Sequence, residues 1–189
     1  MTTEQEIYED VPVKVRKIEV VPHDPRWREE FEKESKRVAA ALGENVACVH
    51  HIGSTAIPGI FAKPVIDMLV EVRDVAGVDN RSSAIESLGY EVMGEFGIAG
   101  RRYFRKDNAN GTRTHQVHAF EAGSPGAARH LAFRDYMIAH PKDAQKYSDL
   151  KRNLAAEHPY DMDAYMDGKD GFIKEMETRA ATWRALQGD

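Results

Sequence analysis

From Val13 to Val21, apolar side chains (Val13, Val15, Ile18) alternate with Lys14, Arg16 and Lys17, a strand pattern with one irregular step. Pro22-His23-Asp24-Pro25 breaks it, with Asp24 placed as an N-cap and Pro25 at a first helical position. Trp27, Phe31, Val38 and Leu42 then recur at helical spacing up to Gly43. Val46–Ile52 is a short apolar run that reads as a strand, and Gly53 to Gly59 is a loop closed by Pro58-Gly59. Lys63–Val72 reads as a second strand. Its Val65, Ile66, Met68, Leu69, Val70 and Val72 are apolar on both faces, which predicts a place inside a sheet covered on both sides. Residues 78–88 suit a helix ended by Gly89, and Tyr90–Met93, Arg101–Lys106 and Thr112–Phe120 suit three more strands. Beyond Ser124-Pro125 the pattern is helical to the end, with breaks near Pro141 and Pro159. The expectation is a single α/β (α+β) domain: an arm over 1–12, an α/β core over 13–122 and a helical extension over 123–187.

Composition narrows the class. At 189 residues the chain can bury roughly 70% of its unfolded surface without staples. One cysteine, Cys48, leaves no intramolecular disulfide framework and no cysteine-based zinc site, as expected in a reducing compartment. The acidic MTTEQEIYED start has no apolar core, and no run approaches the ~20 apolar residues of a membrane span. The expectation is a cytoplasmic protein with no membrane partner. Residues 1–10 hold four of the 31 acids, so the remaining chain carries 26 − 27 = −1, which argues against a bulk grip on duplex nucleic acid. Arg101, Arg102, Arg105, Lys106 and Arg113 face only Asp107, which reads as an anion site or as a solvated edge strand.

The segment richest in chemistry is His50-His51-Ile52-Gly53-Ser54-Thr55-Ala56-Ile57-Pro58-Gly59, followed by Lys63-Pro64-Val65-Ile66-Asp67. A Gly-Ser pair leaving a strand lets backbone N–H groups and a hydroxyl approach an anion without Cβ hindrance. Thirteen residues later, Asp67 interrupts an apolar strand, and a carboxylate there must be hydrogen-bonded, paired or metal-bound. Lys63 shares its strand face but lies about 13 Å along the chain, which directs it to a ligand or another segment rather than to Asp67 itself. The competing reading of Asp67 is a structural carboxylate satisfied by backbone amides.

These motifs resemble the GrpB family, whose signature is Ile-Gly-Ser-Thr-Ala-x-Pro-Gly and then Lys-Pro-x-x-Asp. The resemblance extends through Phe133-Arg134-Asp135-Tyr136, Tyr147-Ser148-Asp149-Leu150-Lys151 and Tyr165-Met166-Asp167-Gly168-Lys169, and covers roughly residues 15 to 185. It implies a DNA polymerase β-like nucleotidyltransferase fold: a mixed β-sheet with flanking helices and a C-terminal helical extension. Related domains occur fused to some dephospho-CoA kinases. In that superfamily a Gly-Ser loop binds the nucleotide triphosphate, and two carboxylates one residue apart on the next strand hold divalent metal. Carried over, Gly53 and Ser54 match the loop and Asp67 the first carboxylate, a ligand for Mg²⁺. The second carboxylate position is Leu69, which weakens the case for two-metal transfer.

Thr114-His115-Gln116-Val117-His118 matches the family's histidine-rich strand. His115 and His118 fall on opposite faces of a regular strand, so both serve one site only across a bulge. Each reads as a ligand contact or acid-base group, or as a core histidine. In the family reading Arg134, Lys151 and Lys169 reach back over the α/β half to an anionic substrate, whereas helix-surface ion pairing is the commoner fate of such residues. Met162, Met166, Ile173 and Met176 approximate helical spacing and read as core. Three functions compete. The first is Mg²⁺-dependent nucleotidyl or phosphoryl transfer on a nucleotide or other phosphorylated small molecule. It would use Asp67 and His118 in catalysis and Gly53, Ser54, Thr55, Lys63, Arg102, His115, Arg134 and Lys151 in binding. The second is a non-catalytic ligand-binding module that keeps the phosphate cradle. The third is a zinc hydrolase built on His115, His118 and Asp67.

Overall fold

The computed structural model describes residues 16–188, so Val13, Val15 and the arm over 1–12 lie outside the described residues. Residues 16–20 form no strand, and Val21 makes only an isolated bridge to Ala62. The chain there packs against the helical third instead, with Ile18 buried beside Leu154 and Tyr165 and its amide donating to the Pro159 carbonyl at 2.7 Å.

The helix α1, Arg26–Leu42, forms where the stripe predicted it and buries Trp27, Val38 and Leu42. Asp24 accepts the Arg26 amide at 2.9 Å at its start. Five strands follow: β1 Val46–Ile52, β2 Ile66–Val72, β3 Glu91–Val92, β4 Arg101–Asp107 and β5 Arg113–Glu121. Between β2 and β3 the expected single helix is two short ones, α2 Val75–Asp79 and α3 Ser82–Glu86. The Asp74 side chain accepts from the Ala76 and Gly77 amides and starts α2 three residues before the expected helix begins. The helical third is α4 Pro125–Ala139, α5 Pro141–Glu157 and α6 Met162–Gln187, divided where Pro141 and Pro159 predicted.

The sheet is mixed, in the order β1-β2-β5-β4-β3, with β2 and β5 parallel and the other pairings antiparallel. Because β2 is flanked by β1 and β5, its two faces meet two separate layers. Met68, Val70 and Val72 pack with Val117, Ala119 and Phe104 against α1, α2 and α3. Leu69 packs with Ile52 and Phe120 against Ala127 and Leu131 of α4. The helical third has its own core around Tyr136, Met137, Tyr147 and Met176, and it takes in Ile57 and Ile60 from the loop between β1 and β2. That loop is therefore held from both sides, by the sheet and by the helices. Among the described residues, no helix is long and apolar enough to cross a membrane.

A buried charge cluster ties α1 to the sheet. Glu34 accepts from Lys106 Nζ at 2.8 Å, the Tyr90 hydroxyl at 3.1 Å and Arg37 at 2.8 Å. Lys106 is thereby removed from the basic patch expected over 101–113. The rest of that patch is spent likewise: Arg102 pairs with Asp79, Arg105 with Glu91 and Arg113 with Asp107, while Arg101 is buried and donates to the Glu95 and Phe96 carbonyls. Removing Glu34 would leave the partly buried Lys106 and the Tyr90 hydroxyl without their acceptor, so Glu34→Ala should cost about 1–3 kcal/mol in chemical denaturation. Adding Lys106→Met should recover part of that loss in a double-mutant cycle.

Candidate functional site

β1 ends at Ile52, which pairs with Asp67 across the antiparallel ladder, and the chain turns sharply at Gly53 (φ +71°). This register sets the Asp67 carboxyl directly against the Gly53 backbone. A Cβ on Gly53 would lie 2.4 Å from Asp67 Oδ2, so the position needs glycine both for its left-handed backbone and for this contact. Ser54–Ala56 forms a single 3₁₀ turn. The Thr55 hydroxyl donates to the Val65 carbonyl at 3.1 Å, so it accepts from His51 Nε2 at 2.9 Å, and it is spent on holding the turn.

Over this turn lies a cavity of about 230 Å³ that reaches from Gly53, Ser54 and Asp67 to Lys63, Lys151 and Lys169. α5 grips the loop beneath it: the Ser148 hydroxyl accepts the Phe61 amide at 2.8 Å and Lys151 Nζ donates to the Phe61 carbonyl at 2.5 Å. Lys151 is only 2% exposed, with its ammonium 4.4 Å from the Tyr147 ring centroid. Lys169 comes from α6, which approaches α5 closely because Gly168 faces Leu154; a Cβ there would sit 2.4 Å from Leu154 Cδ2. Its ammonium stands 4.5 Å, and that of Lys63 5.7 Å, from the Tyr165 ring centroid. Lys106, Lys146 and Lys174 have carboxylate partners, but among the described residues Lys63, Lys151 and Lys169 have none.

This crowding shows in the proton affinities. Burial pushes the Asp67 carboxyl up to about 7, against the opposing pull of Lys63 and Lys169. Its side chain is 23% exposed, so it opens onto the cavity rather than being sealed in the strand. Burial and the neighbouring Lys169 bring Lys151 down to about 7, and burial and Lys63 bring Lys169 down to about 8. Lys63 is lowered for the same reason. The site is thus a half-protonated carboxyl among amines with loosened protons. Among the described residues Asp67 accepts no backbone amide, so the structural reading of that carboxylate finds no hydrogen bonds to rest on.

The other expected residues are distributed unevenly. His118 lies on the Asp67 face, its Nε2 4.0 Å from Asp67 Oδ1, but behind the carboxyl and outside the cavity wall. Arg101, which can only donate, points at His118 Nδ1 at 3.4 Å, so the neutral ring carries its proton on Nε2, toward Asp67. Burial and His130 drive His118 down to about 3. The ring lies beside the carboxyl beyond hydrogen-bond distance and does not line the cavity. His115 is on the opposite face, 6.4 Å from Tyr90 between ring centroids, so no bulge brings it round and the triad His115, His118 and Asp67 does not form. Arg102 is also on that face, with Asp79. Arg134 donates to the His51 carbonyl and to Asp135, away from the cavity. Met162 and Met166 are 43% and 48% exposed and line cavity walls rather than core. Tyr147, Tyr165 and Gln116 line the pocket although sequence reasoning did not single them out as site residues.

Among the described residues Asp67 is the one carboxylate lining the cavity, and Leu69, where a second would stand, is fully buried. Among the described residues no three His, Cys, Asp or Glu side chains gather into a metal-holding group. A donor set of one half-protonated carboxyl beside three ammonium groups does not fit a divalent cation.

The sequence model of the family described as "GrpB protein" matches residues 17–179. The chain is 46% identical over 169 residues to the UPF0157 protein YqkA of Bacillus subtilis (strain 168), covering 89% of this chain and 49% of that one; it spans about half of that relative's length. It is also 27% identical over 196 residues to a dephospho-CoA kinase of Mycolicibacterium paratuberculosis, covering 90% of this chain and 48% of that protein. Among solved structures it is similar to the crystal structure of conserved protein GrpB from Enterococcus faecalis, with TM-score 0.84 and 44% identity over 88% of this chain and 99% of that one.

Two substitutions test the geometry. Gly53→Ala should cost about 1–3 kcal/mol through its backbone strain and its clash with the Asp67 carboxyl. Asp67→Asn should stabilise. The folded carboxyl keeps its proton up to about pH 7, whereas the unfolded one loses it near 4, so the wild type loses stability as pH rises from 4 to 7 and stays low above. Scanning calorimetry should show a gain on the order of 2 kcal/mol at pH 8 that shrinks toward pH 4.

Proposed function

We propose that this chain, which belongs to the GrpB family, binds the phosphate of a nucleotide or other phosphorylated small molecule through ammonium groups rather than through a divalent metal. The reading rests on one observation: three lysines without carboxylate partners converge on the pocket beside the Gly53-Ser54 turn. Buried ammonium groups are costly unless an anion compensates them, and a phosphate dianion supplies that charge together with several acceptor oxygens.

Each residue then has a role. Lys151 and Lys169 hold the phosphoryl oxygens from the helical side, and Lys63 closes the cavity from the strand side. Ser54 offers its hydroxyl from a turn where Gly53 leaves the backbone open. Asp67, while it carries its proton, donates a hydrogen bond to a phosphoryl oxygen; once ionised it repels one. The reading favours a ligand-binding module, and nucleotidyl or phosphoryl transfer dependent on Mg²⁺ is its rival.

Thermal shift in EDTA and in Mg²⁺ separates the two. Pyrophosphate and ATP should raise the Tm in EDTA, by an amount that grows with the logarithm of ligand concentration, and Lys169→Met should abolish the rise. Stabilisation that appears only with Mg²⁺, and is lost in Asp67→Asn, would replace this reading with metal-dependent transfer.

The pH dependence has a definite sign. Raising the pH from 6 to 9 ionises Asp67 and discharges Lys151 and then Lys169, and each step makes the cavity less positive. Sulfate, a dianion throughout that range, should therefore bind at least tenfold more weakly at pH 9 than at pH 6 in calorimetric titrations at constant ionic strength.

A further inference from the structure

The lysine pocket has a neighbour. A second cavity, of about 630 Å³, shares Lys63 and Val65 with it and continues past Pro64 and Met162 to Arg16 and Lys17. The two are separated by a soft sill: Lys63 Nζ lies 3.6 Å from Met162 Sδ, and Met166 stands one helical turn further along α6 on the first cavity's wall. Both thioethers are flexible and exposed, so the partition is movable.

The far end of the second cavity is also cationic. Arg16 donates to the Gly111 and Asn110 carbonyls and to the Thr112 hydroxyl, and it has no carboxylate partner among the described residues. Lys17 is exposed and likewise has none. Arg113 and Asp107, on the same wall, neutralise each other, which leaves Glu19 as the acid lining that end without a basic partner. In a chain with a formal charge of −5, five cations without carboxylate partners thus line two adjoining cavities. The middle of the path is Val65, Pro64 and Met162, and no aromatic ring among the described residues lines the second cavity. A nucleobase would find no aromatic stacking partner there.

Resting on the phosphate-binding reading above, we infer that the ligand has two anionic ends: a phosphate among Lys63, Lys151 and Lys169 and a second anionic group at Arg16 and Lys17, joined by a non-aromatic body lying over Val65, Pro64 and Met162. The second contact sits at a solvated rim, so it adds less affinity than the first and is more sensitive to salt.

Alkanediol bisphosphates of two to six carbons, each set against the matching alkyl monophosphate, test this on the whole chain by titration calorimetry. The best bisphosphate should bind at least fivefold tighter than its monophosphate, with an optimum chain length, and raising the salt from 50 to 300 mM should erode that advantage. Lys17→Met should remove most of the advantage while leaving inorganic phosphate within twofold of wild type; Arg16→Met provides a second readout. Equal affinity of the two series, an advantage that survives both variants, or uridine monophosphate binding as tightly as the best bisphosphate would overturn the inference and leave the phosphate pocket standing. Failure of every phosphate, inorganic included, to bind wild type would overturn both.

Discussion

The contact between the Asp67 carboxyl and the Gly53 backbone organises this molecule's pocket. It exists because the β1–β2 ladder pairs Ile52 with Asp67, so the last residue of one strand and the carboxylate of the next stand side by side where the chain must turn. Any side chain at 53 would push the carboxyl away, and a one-residue register slip would carry Asp67 to the α1 side of the sheet. Glycine, turn and carboxyl are thus one constraint, and the helices α5 and α6 are folded over it.

That arrangement is poor for stability taken alone. Packing lysines 151 and 169 beneath aromatic rings costs desolvation, and the rings and the Phe61 carbonyl return part of it through cation–π contacts and a hydrogen bond. What stays uncompensated is burial and, for the amines, the repulsion of a neighbouring like charge, visible in the loosened protons of both lysines; burial alone keeps the proton on Asp67, against the pull of Lys63 and Lys169. A core under selection for stability alone would hold leucine or methionine at such positions. Strain of this kind is found where a ligand supplies the missing charge.

Much of this was legible in the chain. Periodicity located α1, β1 and the three C-terminal helices, and the double-sided apolar run identified β2 as an interior strand. The Gly-Ser turn and the isolated Asp67 pointed to the site. Local patterns did not show which basic residues are already engaged. Arg102, Arg105, Lys106 and Arg113 look free along the chain, yet each finds an acid brought near by folding, some from distant elements (Asp79 for Arg102, Glu34 for Lys106) and some from close by in sequence (Asp107 for Arg113). Lys63, Lys151 and Lys169, far apart in the chain, meet no acid at ion-pairing distance. Nothing along the chain marks Tyr147 and Tyr165 as pocket residues; their rings are buried, and only the tertiary arrangement shows that they form the walls around two ammonium groups.

Leu69 shows why a missing acid here is more than a single substitution. It shares the face of Asp67, about 6.6 Å further along the strand, where a second metal ligand would be wanted. That stretch of the face is not open: Ile52, Phe120, Ala127 and Leu131 close over Leu69, and Gly126 lets α4 press onto Phe120 so tightly that a Cβ would lie 2.5 Å from the ring. A carboxylate at 69 would therefore be buried under α4 without a partner, and restoring it would require the helix to lift. The cavity ends at Asp67 because the core begins at Leu69, while on the other wall two helices deliver Lys151 and Lys169.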